Sequence, residues 1–269
     1  MKARFCFWSI ATGPYRAMAQ SMVDSARHSG VFKDFHIWTD GAIEGANCHR
    51  LKRSNGKKFI RLELLDEKVR HLKYDYFVWL DADTYFVRHP GDILRVLRGA
   101  PVHASLESNT AMPNPLLPDW GPCSLRNFTT LMQFRGVRSR AIFTVNAGFW
   151  IVHRDVIDTF CGLTWNFWQF CRKVGYQLPI EPLLAYATQM LCGNPYAHTL
   201  RETADLWATD TQGRFAGQVP SGGRWQFVDC FSGETLNIRP SIIHATHSKR
   251  ALVTCGRKRM RFLGTTQAL

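Results

Sequence analysis

Two aspartates stand directly after one of the most apolar segments of the sequence. Residues 76–80 read Tyr-Phe-Val-Trp-Leu, and Asp81-Ala82-Asp83 follow at once. Side chains two positions apart on an extended chain share a face, so both carboxylates can converge on one site. Two carboxylates at close range repel each other, and a divalent cation relieves this repulsion while keeping positions open for phosphate oxygens. Asp81 and Asp83 are therefore predicted to hold a divalent cation, with the small Ala82 leaving the backbone between them accessible.

The same tripeptide has a second interpretation, in which it begins a turn and one carboxylate caps the residues that follow. The apolar run before it favours the metal site. A continuous run of this kind is typical of a strand buried on both faces, and open α/β sheets bind their ligands beyond the carboxyl ends of such strands.

Strand and helix patterns alternate in the part of the chain that must position these acids. Strand patterns cover residues 4–11, 35–39 and 76–80, and helix patterns cover residues 14–29, about 57–71 and the segment after Pro90. This order is typical of parallel strands joined by right-handed crossovers. It predicts an α/β fold with a mostly parallel central sheet flanked by helices.

The second half of the chain is less regular. Residues 107–125 contain four prolines and predict a long functional loop. Further on, the patterns predict a strand over 142–152 that Asn146-Ala147-Gly148 interrupts, helices from near Asp155 and over 181–191, a hairpin within 225–244 and an apolar strand at Ile242-Ile243. Without a repeat or a linker, residues 1–269 are predicted to form a single domain. We divide it into residues 1–106, residues 107–250 and a basic tail (251–269).

The composition narrows the class of protein. The 269 residues carry 34 Lys and Arg against 21 Asp and Glu, and the formal charge of +13 favours phosphate-bearing or polyanionic ligands. None of the eight cysteines forms a CxxC pair, which excludes a zinc ribbon and a thioredoxin-like motif. The apolar stretch at the N-terminus is too short for a signal peptide, and no window reaches the ~20 apolar residues of a membrane span. We therefore expect a soluble cytoplasmic protein, with peripheral membrane contact left open.

Four segments, taken in chain order, resemble GT-A glycosyltransferases. The resemblance is to family 8 relatives such as glycogenin and bacterial lipopolysaccharide galactosyltransferases, and it covers most of residues 4–154 and resumes at 240–250. The four segments are Ala11-Thr12-Gly13-Pro14-Tyr15 after the first strand, Lys58 with Arg61 ahead of the Asp-x-Asp strand, Asn146-Ala147-Gly148-Phe149, and Ile242-Ile243-His244 with Lys249 downstream.

The resemblance implies a Rossmann-like GT-A fold, that of the nucleotide-diphospho-sugar transferases, with a nucleotide-sugar-binding half over residues 1–106 and an acceptor-side half over residues 107–250. It implies an enzyme that moves a hexose from a UDP-sugar to a hydroxyl acceptor with retention, and a Mn²⁺ (or Mg²⁺) ion held by Asp81, Asp83 and His244. The remaining matched positions are implied to bind the donor: Ala11, Thr12, Gly13 and Tyr15 at the nucleotide, Lys58, Arg61, Ala82 and Lys249 at the diphosphate, Asn146 and Gly148 at the sugar. His247 competes with His244 for the metal, and His244 is preferred because it directly follows the apolar strand.

The sequence departs from the family at three of these places. Lys249 is not followed by the family's Pro-Trp, His247 stands where the family usually has glycine, and the acidic segment expected after the Asn-Ala-Gly turn is missing. The nearest acid is Glu181. It has two interpretations: a residue favoured by the N-terminus of a helix, or a catalytic carboxylate that would act as general base if the reaction inverts.

The acceptor and two other functions stay open. Basic clusters at 49–58, at 135–140 and in the tail suit a polyanionic acceptor such as a phosphorylated glycan, a lipopolysaccharide core or a hydroxymethylated DNA base, although a solvated basic surface is an equal reading. Trp120 and Trp207 are candidates to stack on a sugar or base. A nucleotidyltransferase would also use paired carboxylates, but Thr12-Gly13-Pro14 is too short for its Gly-rich phosphate loop. A noncatalytic module that binds polyanions or nucleic acid has no recognition motif here.

Overall fold

The computed structural model describes residues 3–31, 34–51, 59–90, 93, 97, 99–109, 123–139, 142–192, 206–209, 213–216, 225–229 and 235–244. Most of the loop predicted over 107–125, together with the basic tail, lies outside these residues. The strands are β1 (Phe5–Ala11), β2 (Phe35–Thr39), β3 (Asn47–Arg50), β4 (Tyr76–Leu80), β5 (Thr84–Phe86), β6 (Val102–Asn109), β7 (Phe143–His153), β8 (Trp207–Thr209), β9 (Gly213–Ala216), β10 (Trp225–Asp229), β11 (Thr235–Ile238) and β12 (Ile242–His244). The helices are α1 (Tyr15–His28), α2 (Ile60–Glu67), α3 (Leu125–Phe134), α4 (Ile157–Lys173) and α5 (Ile180–Cys192), with 3-10 turns at Val69–His71 and Arg154–Val156.

The largest sheet has six strands in the order β3-β2-β1-β4-β7-β6. β2 pairs with β3 and β1 pairs with β4 in parallel, whereas β7 runs antiparallel to both β4 and β6. The α/β class is confirmed, but the sheet is mixed rather than mostly parallel. Periodicity reveals that a segment is a strand and not which way it runs beside its neighbours, so the direction of β7 could not be read from its pattern.

Three tryptophans form the centre of this sheet. Trp8 of β1 stands opposite Trp79 of β4, which stands opposite Trp150 of β7. All three side chains are buried, and their ring centroids are separated by 4.5 Å (Trp8–Trp79), 5.5 Å (Trp8–Trp150) and 6.1 Å (Trp79–Trp150). Aromatic pairs across strands at these spacings stabilise both the packing and the register of β4, the strand that ends at Asp81.

The chain divides into two compact units. The first comprises residues 1–8, 53–80 and 97–198, and contains β4, β6, β7 and helices α2 to α5. The second comprises residues 9–52, 81–96 and 199–269. It contains α1, β2, β3, β5 and the short strands β8 to β12, and both predicted aspartates belong to it.

Two small sheets organise the second unit. The predicted hairpin is confirmed as β10 and β11, which pair antiparallel with Trp225 opposite Ile238, and β9 adds a third strand. The predicted strand at Ile242-Ile243 is confirmed as β12, which lies between β5 and β8. Its pairing with β5 is antiparallel and its pairing with β8 is parallel.

Helix α1 anchors the sheet of β5, β12 and β8. The hydroxyl of Ser25 accepts a hydrogen bond from the Phe86 N–H at 3.0 Å, and the hydroxyl of Ser29 donates to the Phe86 carbonyl at 3.3 Å. The helix ends as predicted at Gly30, whose φ of +83° is a left-handed conformation that glycine adopts without strain. β5 is thereby fixed at both backbone groups of Phe86.

Candidate metal centre

The two aspartates lie in a tight turn that joins β4 to β5. The Asp81 carbonyl accepts from the Thr84 N–H at 3.1 Å and from the Thr84 hydroxyl at 2.9 Å, which closes a β-turn over residues 81–84. The prediction that both carboxylates share one face of an extended chain is therefore wrong in its geometry. The turn interpretation was right about the backbone, yet the carboxylates still converge, because the turn folds Asp83 back towards Asp81.

Strand β12 brings His244 to the same place. His244 stands opposite Thr84 in the antiparallel pairing with β5, one residue beyond Asp83. Its Nε2 lies 3.1 Å from the Asp83 Oδ1 and 3.7 Å from the Asp81 Oδ2. One ligand atom from each of Asp81, Asp83 and His244 falls within 4.8 Å of the others, so this group could hold a metal ion.

Burial makes the group costly without a positive charge. The side chains of His244 and Asp83 are 3% and 6% exposed, and that of Asp81 is 21% exposed. Two carboxylates and one imidazole nitrogen thus face each other in a poorly solvated position, where two negative charges at close range repel each other. The residues present therefore fit a divalent cation, and two oxygen ligands with one nitrogen suit a borderline ion such as Mn²⁺.

The second ring nitrogen of His244, Nδ1, also has a defined neighbour. Its Nδ1 lies 3.3 Å from the hydroxyl of the buried Thr209, which is opposite His244 in the parallel pairing of β12 with β8. The Trp207 ring packs beside it, with its centroid 5.3 Å from that of the imidazole. When Nδ1–H donates to Thr209, the lone pair of Nε2 points to the carboxylates, which is the tautomer that a metal ligand needs.

Two residues of this arrangement differ from what the sequence predicted. Trp207 was expected in a loop, available to stack on a ligand, but it lies in β8 and is buried against His244. Thr209 was not predicted at all. The only local signal is that Thr209 follows the apolar residues 206–208. Its position opposite His244, 35 residues further along the chain, cannot be predicted from local periodicity.

The predicted nucleotide-binding residues occupy the end of β1 and the start of α1. Ala11 is buried at the end of the strand, Gly13 has a φ of +58°, and the half-exposed Tyr15 begins the helix. The Gly13 N–H donates to the Asp40 carboxylate at 3.1 and 3.3 Å, and the Arg16 Nε lies 3.3 Å from Asp40 Oδ1. Asp40 was not singled out from the sequence, although an acid directly after the apolar strand β2 is the pattern that identified Asp81. The donor-binding role of Ala11, Thr12, Gly13 and Tyr15 stays a prediction.

The first unit brings Arg61 to the Asn-Ala-Gly segment. The Arg61 guanidinium lies over the Trp79 ring, 4.8 Å from its centroid, and donates to the Ala147 carbonyl at 3.3 Å. The Asn146 side-chain oxygen accepts from the Gly148 N–H at 2.8 Å. In the pairing with β6, Ala104 stands opposite Trp150 and the next residue, Ser105, stands opposite Asn146, so three residues of β7 (147–149) are inserted relative to β6, while Phe149 keeps its pairing with Leu80 of β4. The predicted interruption of β7 is therefore a β-bulge, a feature that is common beside binding sites.

The remaining predicted residues divide into two groups. Glu181 lies in the first turn of α5, where the helix dipole favours an acid, so the helix-start interpretation is confirmed and the catalytic one stays a prediction. Lys58, His247, Lys249 and Trp120 lie outside the described residues.

Comparison with known proteins gives no assignment. No protein-family model matches the sequence, and a search of curated proteins found no significant match. Within the described part of the chain, no helix combines the length and the apolar character that crossing a membrane requires.

Proposed function

We propose that this chain is a metal-dependent glycosyltransferase of the GT-A type, which moves a hexose from a UDP-sugar to a hydroxyl acceptor. One observation carries the proposal: Asp81 and Asp83, directly after a buried strand, converge with His244 from the distant strand β12. The order of motifs along the sequence supports the same family, and the mixed α/β sheet is compatible with it.

In this proposal Asp81, Asp83 and His244 hold Mn²⁺ or Mg²⁺. The bound ion would supply positive charge to the diphosphate oxygens of the donor and to the leaving nucleoside diphosphate. The chain contributes rigidity: Asp83 is fixed by the turn to Thr84, and His244 by the Thr209 hydroxyl. Such fixed ligands bind without first having to be ordered.

The reaction breaks the bond between the anomeric carbon and the diphosphate oxygen, and forms one from that carbon to the acceptor oxygen. With retention, which the resemblance implies, the acceptor proton passes to the leaving phosphate. With inversion a side chain must take it, and Glu181 is the candidate base. The acceptor class follows from charge, since the excess of basic residues suits a polyanionic glycan or nucleic acid.

Donor turnover by the purified full-length protein tests the proposal. We expect release of UDP from UDP-sugars with Mn²⁺ and none with a chelator. In Asp83→Ala we expect a loss of about 100-fold or more, because even residues outside the ligand shell cost 10–100-fold at metal sites. Asp158→Asn, which alters an exposed aspartate of α4, is the matched control and should retain turnover.

Three results would contradict this function. Release of pyrophosphate instead of UDP would identify a nucleotidyltransferase. Turnover that is indifferent to metal would remove Asp81, Asp83 and His244 from the chemistry. Equal thermal stabilisation by UDP-, GDP- and TDP-sugars, with no effect of Mn²⁺, would argue against a specific donor, because a true ligand of the folded state raises its melting temperature.

A further inference from the structure

The first unit presents an apolar surface where three helices end. Among the described residues, four large hydrophobic side chains are exposed, and three belong to this surface: Phe134 (76% exposed), Val174 (46%) and Met190 (37%). The Phe134 ring stacks on that of Phe170, with centroids 5.5 Å apart and planes within 9°. Val174 follows Phe170 by one helical turn, and its N–H donates to the Phe170 carbonyl. Met190 of α5 lies beside Gly136, which follows α3: its Cε is 3.7 Å from the position that a Cβ on Gly136 would occupy.

A buried aromatic cluster holds this surface in place. Phe167 of α4 stacks on Tyr186 of α5, with their ring centroids 4.1 Å apart. The Tyr186 hydroxyl donates to the Arg135 carbonyl at 3.1 Å, which ties the end of α3 to α5. The exposure of Phe134 is therefore a property of a well-packed helix end. Soluble proteins seldom leave several large apolar side chains together in water without an interaction to use them.

Positive charge surrounds the apolar side chains. The Arg135 guanidinium lies 5.1 Å from the Phe170 ring centroid, and Arg138, Arg172 and Lys173 are exposed nearby in sequence. Neither residues 123–139 nor residues 159–180 contain an Asp or a Glu. Favourable interaction with the helix dipole accounts for Arg172 and Lys173 in the last turn of α4, but it does not account for Phe134. We call Phe134, Phe170, Val174 and Met190 with these cations the aromatic-basic surface.

We propose that the aromatic-basic surface docks on an anionic lipid bilayer, with Phe134 inserted at the boundary between headgroups and acyl chains. Peripheral proteins bind anionic membranes through apolar side chains that enter this boundary and cations that contact the headgroups. A nucleic acid would satisfy the cations, and Phe134 could stack on a base. A nucleic acid would leave the aliphatic side chains of Val174 and Met190 without an apolar partner, so the mixture of apolar and basic residues in this surface favours the bilayer. This inference stands independently of the proposed enzymatic function.

Vesicle sedimentation with the full-length protein tests this proposal. We expect binding to vesicles of phosphatidylcholine mixed with phosphatidylglycerol, and much weaker binding to phosphatidylcholine alone. Phe134→Ser should weaken binding about tenfold and Phe134→Leu should largely preserve it, since leucine retains the apolar area. Arg172→Glu with Lys173→Glu should weaken binding by tenfold or more, and added salt should weaken binding of the parent protein. Lys68→Glu with Lys73→Glu, at exposed lysines outside the aromatic-basic surface, is the matched charge control.

The outcomes separate the alternatives. Phe134→Ser should melt close to the parent protein, because the Phe134 side chain is largely exposed. The double charge reversal should melt lower, because it removes cations that the helix dipole favours and the contact of Arg172 with the Trp168 ring. Circular dichroism checks that both variants stay folded at the temperature of the binding assay. Equal binding to both kinds of vesicle, or binding that the lysine control reduces as strongly, would overturn the proposal. So would an absence of vesicle binding alongside DNA binding that Phe134→Ser abolishes, which would assign the surface to nucleic acid.

Discussion

Two histidine clusters in the second unit place the same side chain in opposite electrostatic surroundings. At the metal centre, His244 faces Asp81 and Asp83, and its Nε2 lies 3.1 Å from a carboxylate oxygen. In the sheet of β2 and β3, the Nδ1 of His36 lies 2.8 Å from the Nε2 of His49. The first arrangement favours a positive charge beside the acids. In the second, only one of the two facing nitrogens can carry a hydrogen, and a positive charge on one ring disfavours a positive charge on the other.

The imidazole pair is consistent with a neutral state. The ring planes of His36 and His49 are within 14° of each other, and the His49 ring also stacks on Trp38 with centroids 4.4 Å apart. Burial lowers the pKa of both histidines, and the proximity of His49 lowers that of His36 further, against a smaller opposing effect of Asp34. The neighbours therefore decide what an imidazole can do: two acids make His244 part of a group that could hold a cation, and a second imidazole disfavours a positive charge on His36.

The largest effect expected from this contrast is on metal affinity. Asp83→Asn should weaken Mn²⁺ binding by about 100-fold or more while leaving the metal-free protein as stable as the parent, because the side-chain amide of asparagine can still hydrogen-bond with the His244 Nε2 and one of two repelling charges is gone. His36→Gln combined with His49→Gln should leave Mn²⁺ affinity unchanged. Titration followed by the electron paramagnetic resonance of free Mn²⁺ measures both. The contrast breaks if the affinity follows the imidazole pair instead of Asp83.

A smaller effect is expected at Thr209, the residue that orients His244. Thr209→Val keeps the shape of the side chain but removes the hydroxyl, so the Nδ1–H tautomer is no longer favoured and Mn²⁺ affinity should fall roughly tenfold. Thr209→Ser restores a hydroxyl and should recover most of the affinity. Isothermal titration of Mn²⁺ compares the two variants, with melting of the metal-free proteins as a control for packing. Equal losses in valine and serine would mean that Thr209 acts by packing alone.

The metal centre was predictable from the sequence only in part. Asp81 and Asp83 could be found because acids seldom follow a buried apolar strand without a reason. Their convergence was predicted from an extended chain and is produced by a turn. His244 was named by resemblance to a family, since nothing in the sequence itself links it to Asp83, which precedes it by 161 residues, or to Asp81. Thr209 was missed because its burial depends on pairing with β12.

The same limit explains what was missed in the fold. Strands β1, β2, β4, β7 and β12 and helices α1, α4 and α5 were predicted, because their periodicity reflects burial that each element carries alone. Strand β6 and helix α3 were not predicted. β3, which reads Asn47-Cys48-His49-Arg50, is mostly exposed and has no apolar pattern, so the strand was not predicted and His49 was counted only as part of a basic cluster. The bulge at Asn146 was visible as an interruption, whereas the antiparallel direction of β7 depends on where the chain re-enters the sheet.

The smallest expected effect concerns acid sensitivity and isolates the imidazole pair. Because the folded-state pKa values of His36 and His49 lie below that of an unfolded histidine, about 6.5, the unfolded chain binds more protons as pH falls below that value. Folding stability contributed by the pair is therefore intact above about pH 6.5 and is lost progressively as pH falls towards the folded pKa values. Replacing both histidines with glutamine should flatten this part of the stability profile, and His49→Gln alone should flatten it only partly, since burial still lowers the pKa of His36. Urea unfolding across this pH range measures the slope, with His28→Gln at an exposed position of α1 as the control for histidine number. A double variant that remains as acid-sensitive as the parent would place the titrating groups elsewhere and remove the second half of the contrast.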